Sequence, residues 1–500
     1  MTAAAATHDL AFALAAMKGT LLQAGRAPGS DRFAGGAYDS RDVAAGQIFF
    51  ALPGARVDGF SFAGAAAAAG ASVIVVVAGR GVPDGCEDAS VVAVADPLLA
   101  LGELASAVRA RFAGRVVGVT GSNGKTTTKE LVAAALSPAG AVLRTPGSLN
   151  TEIGLPITIL SATGKEAFWV LEMAMRGRGE IAYLARVARP HIGVITNVSG
   201  AHLERLGSIE EVAHAKGELF HGLYREPDGS GGIAVLPSDD RLIEAEADRA
   251  AIPPERRVYF QFPIDGRRGD VKTLEVIPAG ANGSIVRYAV GRVPVVVRLP
   301  LAGAHNARNG AAALGVAMAA GVPIPAGARA LETATLPPHR SAAIAAGGRT
   351  ILDDCYNANP ASMRAALASI VSSAVGGARG FAILGDMKEI GTDAQSQTLH
   401  REIGAEAARQ LSGGLAGVGP MGAEIVTGAR EAGLDPARAV AAASAEEAAK
   451  TVAGWTNPGD WILVKASRGM KLERAVEALA KELEQSRGSV KASSNYETRR

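Results

Sequence analysis

Short apolar runs recur along the chain, and most of them have the length of buried strands. Residues 47–52 and 72–77 are strand candidates because they are mostly apolar and rich in Ile, Val and Phe. The longest apolar runs, such as residues 71–78, are far too short to cross a bilayer, so no membrane insertion is expected. With one helix between them, these strands predict a small leading domain.

From residue 96 onward, strands and helices alternate over a long stretch of sequence. This alternation favours a parallel sheet with helices on both faces. Residues 271–301 are instead rich in Val, Gly and Pro, which predicts hairpins near the end of this second domain. A proline pair at 337–338 breaks the pattern and opens a third section. In that section Ala-rich helices separate three predicted strands, at residues 350–352, 381–384 and 461–464.

These patterns predict an α/β protein of three domains. Residues 1–95 form a small leading α/β domain, residues 96–336 a central domain with a parallel sheet, and residues 337–500 a Rossmann-like α/β domain. A chain of 500 residues is long enough for three such domains at roughly 150 residues each. The tail from about residue 485 has little to bury and is expected to be disordered.

Composition and charge narrow the class of protein. Hydrophobic residues make up 48% of the chain and the formal net charge is only +2, which is typical of a soluble globular protein and indicates no nucleic-acid partner. Cys86 and Cys355 lie far apart without C-x-x-C spacing, which fits a reducing compartment and excludes a zinc site built from cysteine pairs. Residues 1–8 lack the pattern of a signal peptide. We therefore expect a cytoplasmic protein, with a monomer as the simplest state.

The strongest chemical signal is a short apolar strand that leads into a glycine loop ending in Lys-Thr. The loop residues expected to contact nucleotide phosphates are Gly121, Ser122, Asn123, Gly124, Lys125, Thr126 and Thr127. Glycines let backbone N–H groups point at an anion, Lys125 adds a cation, and the Thr126 hydroxyl can hold Mg²⁺ at the start of the following helix. The usual P-loop has a glycine where this chain has Val119. A tight turn beside a surface lysine is the alternative, which the flanking strand and helix disfavour.

Three further polar residues stand out in the central section. Glu172 ends a predicted strand, at the sheet edge where open α/β sheets bind ligands, and is a candidate magnesium ligand; an exposed carboxylate is the alternative. His202, on a polar loop, is a candidate ligand of a second metal ion, although a lone histidine is usually a surface or capping residue. Lys216 stands in an otherwise apolar helical face. Because Mg²⁺ would repel a protonated lysine, Lys216 fits this site only if it is modified.

Several motifs, in order along the chain, resemble those of the Mur ligase superfamily. This resemblance rests on residues 120–127, 171–173, 202–216 and 303–309. A narrower resemblance, to the ligases that join D-alanyl-D-alanine to UDP-MurNAc-tripeptide, rests on residues 39–41, 49–54, 58–59, 353–360, 384–387 and 464–468. The matching positions run from about residue 38 to residue 473. One departure is His339, because the family commonly has a glycine before the arginine that matches Arg340.

The resemblance implies a reaction and its partners. UDP-MurNAc-tripeptide would bind to the leading UDP-sugar domain, ATP would bind to the central P-loop domain, and the third domain would close on ATP and D-alanyl-D-alanine. The terminal carboxylate of the tripeptide would attack the γ-phosphate of ATP, and the amine of D-alanyl-D-alanine would then displace phosphate from the acyl phosphate. Such a ligase supplies UDP-MurNAc-pentapeptide for peptidoglycan synthesis.

The resemblance also implies roles for individual residues. In the family, the lysine that matches Lys216 is carbamylated by CO2, which turns a cation into an oxygen ligand for Mg²⁺. Thr126 and Glu172 would then hold one Mg²⁺, while His202 and carbamylated Lys216 would hold a second; together with Lys125, these are the expected catalytic groups. Further nucleotide contacts are expected from Asn306, Asn309, Arg340 and Asp354, and substrate contacts from Ser40, Arg41, Asn150, Tyr356, Asn357 and Asn359. The segment around Asn359 also has a simpler interpretation, a turn that caps the helix beginning at Pro360.

Other functions fit the sequence less well. A ligase of this superfamily that adds a single diamino acid or lysine would carry an Asp-Asn-Pro-Arg signature in its last domain, and this sequence has none. A folylpolyglutamate ligase would lack the leading domain. A nucleotide-dependent switch or scaffold with a relic ATP site is disfavoured by the joint presence of Lys125, Glu172, His202 and Lys216.

Overall fold

The computed structural model of the chain describes residues 4–54, 57–200, 203–229, 231–262, 269–374, 376–388 and 390–497. Within these residues, three larger sheets of five, nine and six strands follow one another along the sequence. Most neighbouring strands in each sheet are parallel, and helices connect them, so the predicted α/β class is confirmed. No helix in the described ranges is both long enough and apolar enough to cross a membrane.

The first section of the chain contains short strands and three helices. They are β1 (Thr7–Asp9), α1 (Leu10–Met17), β2 (Thr20–Gln23), β3 (Arg32–Ala34), β4 (Gly36–Ala37), β5 (Ile48–Phe50), α2 (Ala63–Ala68), β6 (Val73–Val77), β7 (Ser90–Val94) and α3 (Pro97–Ala110). The five-stranded sheet has the order β2-β7-β6-β5-β4, and β1 pairs separately with β3. β5 and β6 confirm the strands predicted within 47–52 and 72–77, because only continuous apolar runs suit strands that are buried on both faces.

The second section builds the nine-stranded sheet. Its elements are β8 (Arg115–Thr120), α4 (Lys125–Leu136), β9 (Val142–Arg144), α5 (Gly154–Leu160), β10 (Phe168–Glu172), α6 (Glu180–Ala188), β11 (Ile192–Ile195), α7 (Leu203–Leu206), α8 (Ile209–His221), β12 (Ile233–Pro237), α9 (Arg241–Arg249), β13 (Arg257–Gln261), β14 (Val271–Pro278), β15 (Ser284–Val290), β16 (Val293–Leu299), α10 (Ala304–Ala319) and α11 (Ile324–Leu331). The strand order is β16-β15-β14-β13-β12-β11-β8-β10-β9. β14, β15 and β16 are the predicted hairpins, and they extend the edge of the same sheet. Helix α3 packs on α5 and α6, and so joins the first section to the second.

The third section forms the six-stranded sheet. Its elements are β17 (Ala342–Ala346), β18 (Arg349–Asp353), α12 (Pro360–Ser373), β19 (Gly380–Gly385), α13 (Asp393–Gln410), β20 (Gly414–Val418), α14 (Pro420–Glu431), β21 (Ala439–Ala442), α15 (Ala445–Trp455), β22 (Trp461–Lys465) and α16 (Glu473–Glu497). The order is β17-β18-β22-β19-β20-β21, so the three strands predicted here are all present. Helix α16 differs from the prediction of a disordered tail from about residue 485. The segment contains no proline, and the backbone stays helical as far as Glu497.

The edge of the central sheet that matters for function lies at the carboxyl end of β8. β8 is flanked by β10 and β11, and all three strands are parallel. Thr120 pairs with Ile195 and Val119 with Glu172, so the ends of the three strands lie side by side. The chain adds β9 and β10 on one side of β8 and then returns to add β11 on the other. This arrangement makes the end of β8 a topological switch point, where open α/β sheets bind ligands.

Candidate active site

A cleft of about 790 Å³ lies at this edge, between the central and third sections. Most of the residues predicted for the nucleotide and substrate sites line it: Ser122, Asn123, Gly124, Lys125, Thr126, Thr127, Asn150, Glu172, Asn306, Asn309, Arg340, Asp354, Tyr356, Asn357 and Asn359. The fold therefore gathers distant parts of the sequence around one space.

Two glycines shape the loop between β8 and α4. Gly121 has a φ of +150° and Gly124 a φ of +78°. A Cβ atom at Gly124 would lie 2.7 Å from Asn309 Oδ1, and one at Gly121 would collide with the Thr196 hydroxyl. Both the backbone conformation and the lack of space therefore require glycine. Because α4 begins at Lys125, directly after the loop, an anion held by the loop faces the positive end of that helix.

Lys125 folds back over this loop. Its Nζ donates to the carbonyl oxygens of Gly121, at 2.8 Å, and Ser122, at 3.2 Å. Burial lowers the pKa of Lys125, the nearby Glu172 carboxylate opposes this change, and the Arg340 guanidinium adds to it. The two bonded acceptors are neutral carbonyl groups, so an anionic ligand in the loop would be the better partner for the ammonium group.

Glu172 is buried at the end of β10 and is held by three neighbours. Its Oε1 accepts from the Thr126 hydroxyl at 3.1 Å and from Asn150 Nδ2 at 2.8 Å, and its backbone N–H donates to Thr145 Oγ1 at 2.9 Å. The exposed-carboxylate alternative is wrong, because Glu172 is 2% exposed. Its Oε2 is buried and has no hydrogen-bond partner among the described residues. The nearest cation, Lys129 Nζ, is 3.9 Å from this oxygen, too far for a hydrogen bond, so the oxygen could still coordinate a metal ion.

Lys129 lies beside Glu172 and was not found from the sequence. Its fully buried Nζ donates to the Thr145 carbonyl at 2.6 Å, pairs with Glu130 Oε1 at 2.9 Å and lies 3.9 Å from Glu172 Oε2. Glu130 is paired in turn with Arg144 at 2.6 Å. Two buried carboxylates therefore share one buried ammonium group, which offsets their charge behind the cleft. The available signal was the strongly apolar remainder of α4, in which a charged pair must be buried.

Lys216 lies in α8 and is 1% exposed. No hydrogen bond or ion pair joins it to any residue in the described ranges. Burial, with a contribution from the positive charge of Lys125, places the pKa of Lys216 well below its ordinary value. Lys216 does not itself line the cleft, although it is close enough to Lys125 for the two charges to interact.

Besides Gly121 and Lys216, two predicted site residues of the described ranges do not line the cleft, and a third has no described position. His202 falls outside the described residues, so its expected role as a metal ligand has no structural account. Ser40 and Arg41 lie in a short helical turn of the first section, away from the cleft lining. Arg41 is exposed and paired with Asp39, at 2.9 Å from Nε to Oδ1 and 2.5 Å from Nη2 to Oδ2. This guanidinium lowers the pKa of the Asp39 carboxyl to about 2.

Asn306 and Asn309 reach the loop from α10. Asn309 accepts a hydrogen bond from the Thr128 hydroxyl through Oδ1, at 3.3 Å, and donates through Nδ2 to Asn306 Oδ1, at 3.2 Å. Asn306 Nδ2 donates to the Ala302 carbonyl at 2.8 Å. Because α10 packs against α4, this chain of amides holds the first turn of α10 against the phosphate loop.

The third section contributes a cation and a carboxylate. The Arg340 guanidinium stacks on the Tyr356 ring, with its central carbon 3.9 Å from the ring centroid, and its buried Nε has no hydrogen-bond partner among the described residues. Asp354 accepts from Ser341 N–H at 3.0 Å and pairs with Lys465 Nζ at 2.5 Å. Lys465 also donates to the Asn357 carbonyl at 2.9 Å. The sequence did not predict Lys465 as a site residue, although its place at the end of β22 was a usable signal.

His339 occupies the position where a glycine is common in the resembling family. Its φ of +66° lies in the left-handed region, which explains the preference for glycine. The histidine is held there by a hydrogen bond from the Tyr356 N–H to its carbonyl, at 3.0 Å, and by its ring nitrogen Nδ1, 2.8 Å from Asp353 Oδ2. Arg340 therefore follows a residue that is held through both its carbonyl and its ring.

Asn359 has two roles. Its Oδ1 accepts from the Ser362 N–H at 2.9 Å and caps α12, so the predicted helix start is confirmed. Its Nδ2 donates to Asn123 Oδ1 at 2.7 Å, across the cleft. The residues of the 356–359 segment thus sit directly opposite the phosphate loop.

The far side of the loop is held by residues that the sequence did not predict for the site. Asn123 N–H donates to Asn197 Oδ1 at 3.0 Å, its carbonyl accepts from the Thr196 hydroxyl at 2.6 Å, and its Nδ2 donates to Ser199 Oγ at 3.0 Å. These residues directly follow β11. Parallel strands end at a common edge, so their position beside β8 was a usable signal once the strand order was known.

Family models, related sequences and solved structures all match this chain to the same family. Models described as "Mur ligase family, catalytic domain", "Mur ligase middle domain" and "Mur ligase, glutamate ligase domain" match residues 33–109, 119–317 and 339–468. The UDP-N-acetylmuramoyl-tripeptide–D-alanyl-D-alanine ligase of Bacillus subtilis is 34% identical over 446 residues, which cover 89% of this chain and 93% of that protein. The crystal structure of MurF from Acinetobacter baumannii superposes with a TM-score of 0.81 at 28% identity, covering 95% of this chain and 99% of the other. MurF ligase from Thermotoga maritima, in complex with ADP, gives a TM-score of 0.76 at 30% identity, with coverages of 90% and 98%.

Proposed function

This chain belongs to the Mur ligase family, and we propose that it is an ATP-dependent ligase that joins D-alanyl-D-alanine to UDP-MurNAc-tripeptide. The products are UDP-MurNAc-pentapeptide, a precursor of peptidoglycan, together with ADP and phosphate. One observation carries the proposal. The phosphate loop and Glu172 of the central section face Arg340, Asp354 and Asn359 of the third section across a single cleft.

The chemistry needs this arrangement because a carboxylate does not condense with an amine at neutral pH. A carboxylate oxygen of the tripeptide forms a bond to the γ-phosphorus of ATP, the bond from that phosphorus to the bridging oxygen breaks, and ADP leaves. The deprotonated amine of D-alanyl-D-alanine then bonds to the acyl carbon, phosphate leaves with the electrons of the C–O bond, and the amine loses a proton to solvent. Such catalysis is mostly positioning, which can supply roughly 7–11 kcal/mol.

The residues of the cleft divide this work. The loop N–H groups, Lys125 and Arg340 supply positive charge where the phosphoryl group is transferred. Asp354, fixed by Ser341 and Lys465, offers an oriented carboxylate as the acceptor for a ribose hydroxyl. Asn306 and Asn309 support the phosphate loop from α10. Thr127, in the first turn of α4, continues the row of residues proposed to contact the phosphates.

Contacts are proposed both to the dipeptide and to the UDP-MurNAc-tripeptide. Tyr356, Asn357 and Asn359 contact the incoming dipeptide, and Asn150, which also donates to Glu172, contacts the tripeptide end of the other substrate. Ser40 and the exposed Arg41 contact the UDP end of the substrate in the first section. The exposed fork of Arg41 suits a phosphate oxygen, which would replace Asp39 as its partner.

The buried Glu172 fits a magnesium ion. Its Oε2 lacks a hydrogen-bond partner among the described residues, and the Thr126 hydroxyl lies beside the other oxygen, so two hard oxygen donors converge. We assign these residues to one Mg²⁺ and His202 with carbamylated Lys216 to a second. Bound magnesium would neutralise charge on the phosphates. Glu172 and Thr126 would fix the position of that ion relative to Lys125.

Lys216 has the properties that carbamylation requires. CO2 reacts with a neutral amine, and the lowered pKa of Lys216 favours that form. The amine is also buried and free of any partner in the described part of the chain, which leaves its nitrogen available. The N–C bond that forms releases one proton and leaves a negative carbamate, which reverses the repulsion of Mg²⁺.

We propose that the reaction takes place in the cytoplasm, and that the catalytic unit is a monomer built from domains at residues 1–95, 96–336 and 337–500. The near-neutral net charge of +2 gives no support for a nucleic-acid partner.

The decisive experiment measures phosphate release from ATP together with mass spectrometry of the nucleotide-sugar product. With UDP-MurNAc-tripeptide present, release is expected to depend on D-alanyl-D-alanine, and Lys125→Met is expected to abolish it. Equal turnover with a single amino acid in place of the dipeptide would contradict the proposal.

The magnesium assignment is tested by Glu172→Gln, which keeps an oxygen for Thr126 and Asn150 but removes the charge. The Mg²⁺ concentration for half-maximal rate is expected to rise about tenfold or more. An unchanged magnesium requirement would contradict the assignment.

The carbamate is tested by ¹³C NMR of the enzyme equilibrated with ¹³C-bicarbonate. A protein-bound carbamate signal is expected in the wild type and in Lys129→Arg, a control at another buried lysine, but not in Lys216→Arg. A signal that persists in Lys216→Arg, or is absent from active wild-type enzyme, rules out carbamylated Lys216.

A further inference from the structure

A second group of metal-binding side chains lies outside the proposed magnesium site, where the segment before β17 meets the end of β18. It consists of His339, Asp353 and Cys355, which we call the HDC cluster. The nitrogen, oxygen and sulfur atoms that these residues offer all lie within 4.8 Å of one another. The cluster plays no part in the ligase chemistry described above.

The carboxylate of Asp353 stands at the centre of the cluster. Its Oδ2 lies 2.8 Å from His339 Nδ1, and its Oδ1 lies 3.0 Å from Cys355 Sγ. Tetrahedral metal bonds of about 2.0–2.3 Å place neighbouring N, O and S ligand atoms roughly 3.3–3.8 Å apart, so the two contacts are somewhat shorter than the edges of such a site. A small movement of the side chains would therefore convert two hydrogen bonds into three metal bonds.

The surroundings make the cluster accessible from one side only. Cys355 is fully buried and Asp353 is 3% exposed, whereas the His339 side chain is 30% exposed. An ion would arrive past the imidazole and meet two anchored ligands beneath it. With three protein ligands, the fourth position of a tetrahedral ion would be left for water.

The ligand set separates this cluster from the magnesium site. Mg²⁺ prefers oxygen ligands in octahedral geometry, whereas a mixture of thiolate, imidazole and carboxylate suits Zn²⁺ and similar ions. Glu172 and Thr126 offer oxygen only, so a sulfur ligand is a specific signature of the HDC cluster.

We propose that the HDC cluster is a binding site for a Zn²⁺-class divalent ion, with one sulfur, one nitrogen and one oxygen ligand from this chain. Binding replaces the thiol proton of Cys355, which passes to solvent, with a metal–sulfur bond.

The position of the cluster gives such an ion a consequence for the cleft. His339 directly precedes Arg340, and Asp353 and Cys355 flank Asp354. Arg340 and Asp354 both line the cleft. A bound ion would clamp the two backbone segments that direct Arg340 and Asp354, and would stabilise one arrangement of the third section at the nucleotide.

The proposal is tested by titrating the reduced, metal-free full-length protein with Co²⁺ alone and recording the thiolate-to-cobalt absorption band, followed by competition with Zn²⁺. A saturable band at one ion per chain, reversed by Zn²⁺, is the expected result. Cobalt at the magnesium site does not produce this band, because that site has no sulfur ligand. Absence of a saturable band would overturn the proposal.

Variants locate the ligands. Cys355→Ser is expected to remove the thiolate band, and His339→Gly to weaken cobalt binding at least about tenfold. Cys86→Ser, a control at the other buried cysteine, is expected to keep both the band and the affinity. His339→Gly is expected to fold normally, since glycine suits the φ of +66° at this position, so weaker cobalt binding in this variant would not be caused by misfolding. Wild-type affinity in both His339→Gly and Cys355→Ser would show that the cluster is a hydrogen-bonded network only.

Discussion

Asn359 Nδ2 donates a hydrogen bond to Asn123 Oδ1 at 2.7 Å, and this contact joins the third section to the phosphate loop. The same Asn359 side chain caps α12 through its Oδ1. Asn123 is anchored on its other side by Asn197 and Ser199. The start of α12 is therefore tied to the nucleotide cleft through two amide groups.

Replacement of Asn359 by serine separates its two roles. Serine is a good N-cap but is too short to reach Asn123, so we expect the free energy of unfolding to change by less than about 0.5 kcal/mol. The KM for ATP is expected to rise about five- to tenfold, which corresponds to one lost hydrogen bond of about 1 kcal/mol. Chemical denaturation and steady-state kinetics measure the two effects.

A double-mutant cycle with Asn123→Ala checks that the effect on KM comes from this contact. The two substitutions are expected to be non-additive in KM by about 0.5–1.5 kcal/mol. Ser362→Ala is the matched control, because it weakens the cap of α12 without touching the contact between the sections. If Ser362→Ala raised KM as much as Asn359→Ser, the cap rather than the contact would be responsible.

Lys129 is expected to be essential for stability. Lys129→Met leaves the buried carboxylates Glu130 and Glu172 without their shared cation, so we expect a loss of about 3–5 kcal/mol in the free energy of unfolding. Urea denaturation without nucleotide or metal measures it.

The control for Lys129 is Arg144, which pairs with the same Glu130 but has a side chain that is 49% exposed. Solvent screens that pair, and Arg144→Ala is expected to cost no more than about 1 kcal/mol. Equal losses of unfolding free energy in Lys129→Met and Arg144→Ala would mean that burial does not determine how much these ion pairs stabilise the protein.

The phosphate loop should not tolerate a side chain at Gly124. Gly124→Ala combines a φ of +78° with a Cβ only 2.7 Å from Asn309 Oδ1, so ATP binding is expected to fall at least about tenfold as the loop moves. Gly79→Ala is the control: its φ is +88°, but a Cβ there meets nothing within 4 Å. It should show only the backbone cost, about 1–2 kcal/mol of stability, and normal ATP binding by calorimetry. Normal ATP binding by Gly124→Ala would contradict the steric argument.

Local sequence order was sufficient to predict the parts of the site that sit at strand ends. Glu172 ends an apolar run and Gly121 to Thr126 follow another, so their place at a sheet edge follows from the α/β pattern alone. The resemblance added Arg340 and Asp354, which no local pattern would bring to the same cleft.

Other contacts depend on how distant segments pack, and the sequence carried at most a weak local sign of them. Lys129 looks like a solvated helix residue until the Thr145 carbonyl and two carboxylates are seen around it. The Asn123–Asn359 contact spans two sections of the chain. The HDC cluster needs the left-handed turn at His339, which the sequence indicated only as a departure from glycine.

The buried amine of Lys216 is expected to cost stability when CO2 is absent, and the cost should depend on pH. A folded-state pKa below the ordinary value of 10.5 means that, between the two pKa values, the unfolded chain binds the proton more tightly. Wild-type stability therefore rises with pH through this window and levels off above about 10.5. Lys216→Met, which keeps an unbranched side chain but cannot titrate, should be more stable than wild type at about pH 7 by on the order of 1–3 kcal/mol. Denaturation in CO2-depleted buffer is expected to show that the stability advantage of Lys216→Met shrinks toward about pH 9. An advantage that does not change with pH would contradict the inference that the Lys216 amine is buried without a partner. A wild type that is more stable than Lys216→Met at neutral pH would contradict it as well.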